Sequence, residues 1–344
     1  MRLEYIAPAE SGPIIRKTMR IIKAGEIRQF YSMKQAIEAM ERAFSSLSSG
    51  ECHIPMRVVT RLPASELLML YKPAFVEKES QAAVKFITQR EGSGIQGKPA
   101  IQGVVMVIDA VTGEITSIMD GGYITALRTG AASGMATRIL AAENAHTLAL
   151  FGCGAQGKTQ VEAVICERDI KKILLFDKDR NRASRFMEEL QAESNPEMIF
   201  CVDASMVKEA DIICTATNAT APLFKREDVK KGAHINAIGS FQPHMQELDP
   251  WLIRDSRVFT DQTEQCLKES GDLIKPILEG IFDESHIAGE IGDLLLKRMT
   301  GRESEEQITI FKSVGVAIQD YAVATDIYKY ALEQGFGFEI DLSD

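Results

Sequence analysis

The residues with the clearest chemical meaning lie near the middle of the chain. Gly152-Cys153-Gly154-Ala155-Gln156-Gly157 has the glycine spacing of a turn that holds a pyrophosphate. The apolar run 147–151 leads into Gly152, a helical pattern follows Gly157, and the next strand candidate ends in an acid, Asp177. Gly152 permits a tight turn, Gly154 lets phosphate approach the backbone, and Gly157 lets the helix pack close to the strand. The free N–H groups of the helix start, from Ala155 and Gln156 onward, face the phosphates. Asp177 is suited to accept hydrogen bonds from the adenosine ribose and to repel an added phosphate there, so NAD(H) is favoured. Lys178 and Arg182, close by, keep NADP(H) open. Thr215 ends a later strand candidate with Ala216 and Thr217 just past it, Gly239 follows another, and Ser313 follows a third apolar run. All five are expected to contact the cofactor. A second signal is Lys85, a lone cation inside the apolar run 82–88, which is costly to bury without a partner.

These groups need a framework, and the hydrophobic pattern supplies two kinds. Residues 32–49 read as a helix behind a Ser32 cap. The β-type runs 57–61, 66–71, 82–88, 103–109 and 115–119 follow without intervening helices, which predicts an antiparallel or mixed sheet. Turns at Gly92–Gly94 and 109–113 separate them. Residues 124–140 form an alanine-rich helical pattern. From Thr147 strands alternate with helices or short crossovers, with strands at 147–151, 172–177, 198–202, 211–215, 234–238 and 257–260, the signature of a covered parallel sheet. A last helix is expected over 308–334. The fold class is therefore α/β: a Rossmann-type doubly wound parallel sheet, residues 126–315, inserted into an α+β domain made of 1–125 plus 316–344.

Composition sets limits on function. The 344 residues suffice for two domains, and the 45% hydrophobic and 26% charged content fits a folded chain with no long disordered tract. The net charge of −10 disfavours nucleic-acid binding. No apolar stretch is long enough to span a bilayer, and the first residues lack a secretion signal's apolar core, so no membrane partner is expected and the cytoplasm is the expected location. The first twenty residues or so read as an extended arm. The six cysteines form no CxxC pair and the five histidines no metal-type spacing, so reduced thiols and no protein metal site are expected.

Several ordered motifs then resemble one known family, the ornithine cyclodeaminase and mu-crystallin family. They are Ala83-Val84-Lys85-Phe86-Ile87-Thr88, the 102–109 run with Gly113 and Met119-Asp120-Gly121, the segment Ile124-Thr125-Ala126-Leu127-Arg128-Thr129-Gly130, the glycine turn, and Phe311-Lys312-Ser313-Val314-Gly315. The resemblance spans about 21–331. It implies a homodimer built on the N-terminal sheet, an NAD(P)(H) domain, and small α-amino or α-imino acid substrates. By motif match, Arg57, Lys85 and Arg128 fall where the family holds the substrate carboxylate, a pairing the bidentate chemistry of arginine suits. Thr88 is a further candidate substrate contact.

The loop Gly239-Ser240-Phe241-Gln242-Pro243-His244 separates activities within the family. Ornithine cyclodeaminases are expected to carry an aspartate just after the glycine pair, whereas Phe241 and Gln242 cannot act as acid or base. The loop looks more like that of the imine reductases that convert Δ1-pyrroline-2-carboxylate to L-proline. Ser240 and His244 are its candidate catalytic side chains, with ordered water, Lys85 or His244 as proton donor. The alternatives are an ornithine cyclodeaminase or other NAD-dependent amino-acid dehydrogenase, and a non-catalytic NAD(P)H-binding protein of the crystallin type.

Overall fold

The computed structural model describes residues 18–62, 67–90, 101–191 and 196–342. The expected N-terminal arm, apart from its last residues, lies outside these residues, as do Glu66 and the Gly92–Gly94 turn. The chain begins with β1 (Thr18–Ile22), α1 (Ala24–Phe30), α2 (Met33–Ser49), β2 (Cys52–His53), β3 (Val58–Leu62) and β4 (Leu67–Val76). It continues through β5 (Gln81–Arg90), β6 (Ile101–Asp109), β7 (Ile115–Asp120) and α3 (Gly121–Leu140). The middle comprises β8 (Thr147–Phe151), α4 (Ala155–Glu167), β9 (Lys172–Phe176), α5 (Arg180–Gln191), β10 (Glu197–Phe200), β11 (Ile212–Thr215) and β12 (His234–Ala237). Then come α6 (Pro250–Arg254), β13 (Arg257–Thr260), α7 (Thr263–Glu269), α8 (Gly271–Leu278), β14 (Ile287–Glu290), α9 (Ile291–Leu295) and β15 (Thr309–Lys312). The last elements are α10 (Ala317–Gln334) and β16 (Phe338–Asp341).

Two sheets result. The first runs β16-β1-β7-β6-β5-β4-β2, with β3 also on β4, and only its β1–β7 pairing is parallel. The second, in the order β10-β9-β8-β11-β12-β15-β13-β14, is parallel throughout. Strand order reverses between β8 and β11, which opens a crevice at their carboxyl ends, the place where such sheets take ligands. Both sheet types match the expectation from periodicity.

The expected helix over 308–334 is corrected: its first residues are β15, and the helix starts at Ala317. Two causes act together. Ile308-Thr309-Ile310 is a β-branched run that fits the sheet interior, and Gly315 has φ +82, which breaks a helix.

Helix ends follow the local chemistry. Ser32 caps α2 by accepting from the Gln35 N–H, and Gly50 closes it in the left-handed region. Asp120 caps α3, its carboxylate accepting from Tyr123 N at 2.6 Å. α3 is buried almost all round, which its alanines, glycines and serines allow. A Cβ at Gly130 would run into the backbone of Thr159, so glycine there sets how closely α3 and α4 cross. α2, α3, α9 and α10 share one apolar core with the inner face of the first sheet. Among the described residues no helix is long and apolar enough to cross a membrane.

Candidate active site

Strand alternation sends every second side chain of β4 and β5 to the covered face. On β4 these are Leu68, Leu70, Lys72, Ala74 and Val76, and on β5 Ala83, Lys85 and Ile87. Antiparallel register sets Lys72 directly opposite Lys85. Two lysine side chains thus share one buried face, where two positive charges would repel. Lys85 Nζ donates to Asp320 Oδ1 at 2.6 Å and to Thr125 Oγ1 at 3.3 Å. Arg128 donates through Nε to the same Asp320 oxygen at 3.2 Å and through Nη1 to Gln319 Oε1 at 2.7 Å. Arg57 pairs with Glu269 at 2.7 Å. Lys72 Nζ donates to the neutral carbonyl of Gly315 at 2.8 Å.

Arg57, Lys72, Lys85 and Arg128 line one cavity of about 280 Å³, together with Thr125, Thr129, Gln156, Phe241, Gln242 and Ser313. Val59, Leu68, Leu70 and Ile87 give it an aliphatic side. Positive charge exceeds negative at this wall, and the ionisation of each group shows it. Burial pushes the Lys85 amine down to about 8, against the pull of Asp320. Burial drives the Lys72 amine well below the ordinary lysine range, and Lys85, Arg57 and Arg128 add to it. Burial alone would raise the Asp320 carboxyl, but Lys85, Arg128 and Lys72 outweigh it and hold that group below its ordinary value. A cavity lined in this way suits a small organic anion.

The second sheet fixes the far wall through buried carboxylates. Asp261, just past β13, accepts from Ser313 Oγ at 2.7 Å, Val314 N at 3.0 Å and Gly315 N at 2.7 Å. A side chain at Gly315 would strike the Arg128 guanidinium. Glu247 is buried and accepts from Thr215 Oγ1, Thr217 N and Thr217 Oγ1 at 2.7 Å each, and from Gly239 N at 2.9 Å. It ties together the loops leaving β11 and β12. Asp272 accepts from Glu247 N at 2.7 Å and pairs with Lys312 at 3.1 Å.

The glycine turn lies at the end of β8, in the crevice between β8 and β11. Gly152 has φ +102, and a Cβ there would strike Ala216. A Cβ at Gly157 would strike the Gly152 carbonyl, so the helix lies close on the turn. A Cβ at Gly154 would meet no protein atom within 4 Å, which is the approach a pyrophosphate needs. Gly154 caps α4 without a side chain, leaving the helix's first N–H groups for an anion. Asp177 directly follows β9, its carboxylate accepting from Cys153 N at 2.8 Å. Lys178 and Arg182 are exposed beyond it. The turn therefore fits a dinucleotide, and Gln156 links it to the cavity.

Arg57, Lys85, Arg128, Gln156 and Ser313 thus converge on one cavity. Four other expectations are corrected. Thr88 lies one residue out of phase with Lys85 and Ile87, so its side chain is on the opposite face of β5, 3.4 Å from the Gln102 carbonyl. Thr215 is fully buried, and its hydroxyl is committed to Glu247. Ser240 is a loop clasp, donating to Met245 O at 3.1 Å and accepting from Asp272 N at 3.2 Å. His244 is exposed and does not line the cavity, so it is poorly positioned to donate a proton there. Residues not anticipated are Lys72, Asp320, Glu269, Asp261 and Glu247. Lys72 carried the same signal as Lys85, a lone cation at a buried parity of an apolar strand.

Comparison with known proteins gives the chain's family and relatives. The protein-family model described as the ornithine cyclodeaminase/mu-crystallin family matches residues 17–335. The chain is 38% identical over 325 residues to a Δ1-pyrroline-2-carboxylate reductase of Bacillus cereus, covering 94% of this chain and 100% of that protein. Its structure is similar to that of Thermococcus litoralis Δ1-pyrroline-2-carboxylate reductase in complex with NADH and L-proline, with a TM-score of 0.90, 35% identity, and coverage of 94% and 100%. An archaeal alanine dehydrogenase dimer with bound NAD is also similar, with a TM-score of 0.88, 30% identity, and coverage of 94% and 99%.

Proposed function

The chain belongs to the ornithine cyclodeaminase/mu-crystallin family, and from that membership we propose that it reduces a small cyclic imino acid, first of all Δ1-pyrroline-2-carboxylate to L-proline, with NAD(H) as its cofactor. The observation that carries this reading is the composition of the cavity: cations for one carboxylate, and Phe241 and Gln242 where a cyclodeaminase is expected to have an acid. Basic side chains outnumber the carboxylates that face them in this cavity, and a substrate carboxylate would offset that excess.

When bound, the dihydronicotinamide supplies the hydride. The Gly152–Gly157 turn holds the pyrophosphate, and Asp177 the ribose hydroxyls. Arg57, Lys85 and Arg128 hold the substrate carboxylate, and so fix the adjacent C2 carbon in position and orientation. Asp320 keeps Lys85 and Arg128 aimed at one point. The aliphatic side, with Val59, Leu68, Leu70 and Ile87, keeps water from the C=N bond and strengthens each charge interaction inside.

The reading extends to a cytoplasmic homodimer. The outer face of the first sheet presents Met69, Tyr71, Phe75, Val84, Phe86, Val104 and Met106, all half-buried. A second copy is the partner that would cover such an apolar face. The deciding experiment offers purified protein Δ1-pyrroline-2-carboxylate with NADH or NADPH, and separately L-ornithine with NAD. Oxidation of NADH by the imine supports the reductase. Proline and ammonia from ornithine, with the imine leaving NADH unconsumed, would sink it. No turnover of either substrate would favour a binding protein.

A further inference from the structure

We propose that Lys72 is the catalytic acid that protonates the imine nitrogen. This inference rests on the reduction proposed above. The argument begins with the proton inventory of the described cavity lining. Thr125 Oγ1 donates to Gly121 O at 2.6 Å, Thr129 Oγ1 to Thr125 O at 2.7 Å, and Ser313 Oγ to Asp261 at 2.7 Å. Each hydroxyl proton is thus engaged with the protein. Glutamine amides and arginine guanidinium groups do not titrate in the working range. That leaves the two lysines facing each other across β4 and β5. Lys85 is bound to the Asp320 carboxylate, which favours its keeping the proton. Among the described residues Lys72 donates to the Gly315 carbonyl, a neutral acceptor that holds a proton far less tightly.

The surroundings of Lys72 make it an acid suited to the task. The charged groups facing it are Lys85 on β5, Arg57 ahead of β3, Arg128 on α3 and Asp320 on α10, with Glu269 at the end of α7 behind Arg57. Burial and the three neighbouring cations favour its neutral amine. A carboxylate entering among those cations reverses the balance and favours the ammonium. Substrate binding therefore loads a proton onto Lys72 beside the nitrogen that needs it. The atoms and charges balance. Lys72 gives one proton to the imine nitrogen, breaking its own N–H bond and forming the iminium. Hydride from the reduced cofactor adds to C2, so the imine is reduced and NADH becomes NAD. The product amine takes a second proton from water as it leaves, and Lys72 stays neutral until the next anion binds.

Lys72→Met and Lys72→Arg test this. Methionine removes a buried charge while keeping the length of the side chain, and arginine keeps the charge but cannot release the proton. The first readout needs no turnover: calorimetric binding of pyrrole-2-carboxylate at pH 7 in buffers of different ionisation heat. Wild type should take up about one proton per carboxylate bound and both variants far less, because Lys85, at about 8, is mostly protonated already. The second is the pH profile of imine reduction. At pH 8 both variants should lose about 10²-fold in kcat, and the deficit should shrink as pH falls and the substrate arrives already protonated. Lys72→Arg should keep a KM near that of wild type. Undiminished proton uptake in the variants, or kcat at pH 8 within about threefold of an active wild type, would overturn the role of Lys72. An inactive wild type would instead overturn the reductase reading.

Discussion

Asp320→Asn tests the electrostatic logic of the cavity most directly. Asp320 Oδ1 receives both Lys85 and Arg128, and its side chain is only 2% exposed. Asparagine keeps the shape and one acceptor but removes the charge that holds two cations together, with Lys72 close by. Removing one partner of a buried ion pair costs about 3–5 kcal/mol. Lys85 can recover part of this by releasing its proton, since its amine is already down at about 8. We expect a net loss of about 2–4 kcal/mol in ligand-free protein at pH 7. The sign with pH follows from proton counting. The unfolded chain holds the Lys85 proton up to about 10.4, whereas the folded variant gives it up below 8. Unfolding then takes up a proton, so the variant's stability rises with pH relative to wild type between about pH 6 and 8, by at most about 1.4 kcal/mol per unit. Urea unfolding at several pH values measures this. Saturating pyrrole-2-carboxylate should narrow the gap, because a ligand carboxylate supplies the missing charge. A variant as stable as wild type across this range, or a gap that widens as pH rises, would refute the reasoning.

Other residues give independent tests. Asp177→Ser removes the charge that opposes a ribose phosphate and leaves Lys178 and Arg182 exposed beside it. The ratio of NADPH to NADH kcat/KM should rise at least about 10-fold, a change of about 1.4 kcal/mol. Gly315→Ala forces a side chain onto Arg128 at a positive φ. Steady-state kinetics should show KM for the imino acid rising about 10-fold or more, with a stability loss of about 1 kcal/mol or more. Phe86→Glu sets a charge on the outer sheet face, opposite in sense to the buried parity of Lys85. Light scattering should report a monomer where wild type gives a dimer, with NADH binding by each chain retained.

The sequence and the structure agree best at the glycine turn, where every part is local. The glycine turn, the strand before it and Asp177 lie on one stretch of chain, so spacing alone carried their geometry. Lys85 was visible because a single cation interrupts an apolar strand. Lys72 is equally visible by that rule, although it lies outside the family's motifs. Thr88 shows the same rule neglected, since its parity opposes that of Lys85. What could not be read is partnership across the chain. Lys85 meets Asp320 only because α10, near the C-terminus, packs on β4, β5 and β6. Glu247 gathers Thr215, Thr217 and Gly239 from two loops, and nothing in its flanking residues signals that.

The buried cations also explain how stability and binding are linked. Burial pushes the Lys85 amine from its ordinary 10.5 down to about 8, so keeping it charged at neutral pH works against the folded state. Lys72 adds to this in the same direction. A protein gains nothing in stability from such an arrangement, and an apolar pair at these positions would pack better. The cost has a function if it is relieved on binding: an anion among these groups recovers what burial took, and that recovered energy is available to order the substrate against the cofactor. It follows that carboxylate ligands should raise the melting temperature of wild type more than that of Lys85→Met. The Lys85→Met variant should itself lose carboxylate affinity by about 10-fold or more, with a smaller loss of ligand-free stability than Asp320→Asn, because Arg128 still pairs with Asp320. If instead that variant unfolds several degrees lower and binds pyrrole-2-carboxylate as wild type does, Lys85 is a structural cation, and the cavity is not built around an anion.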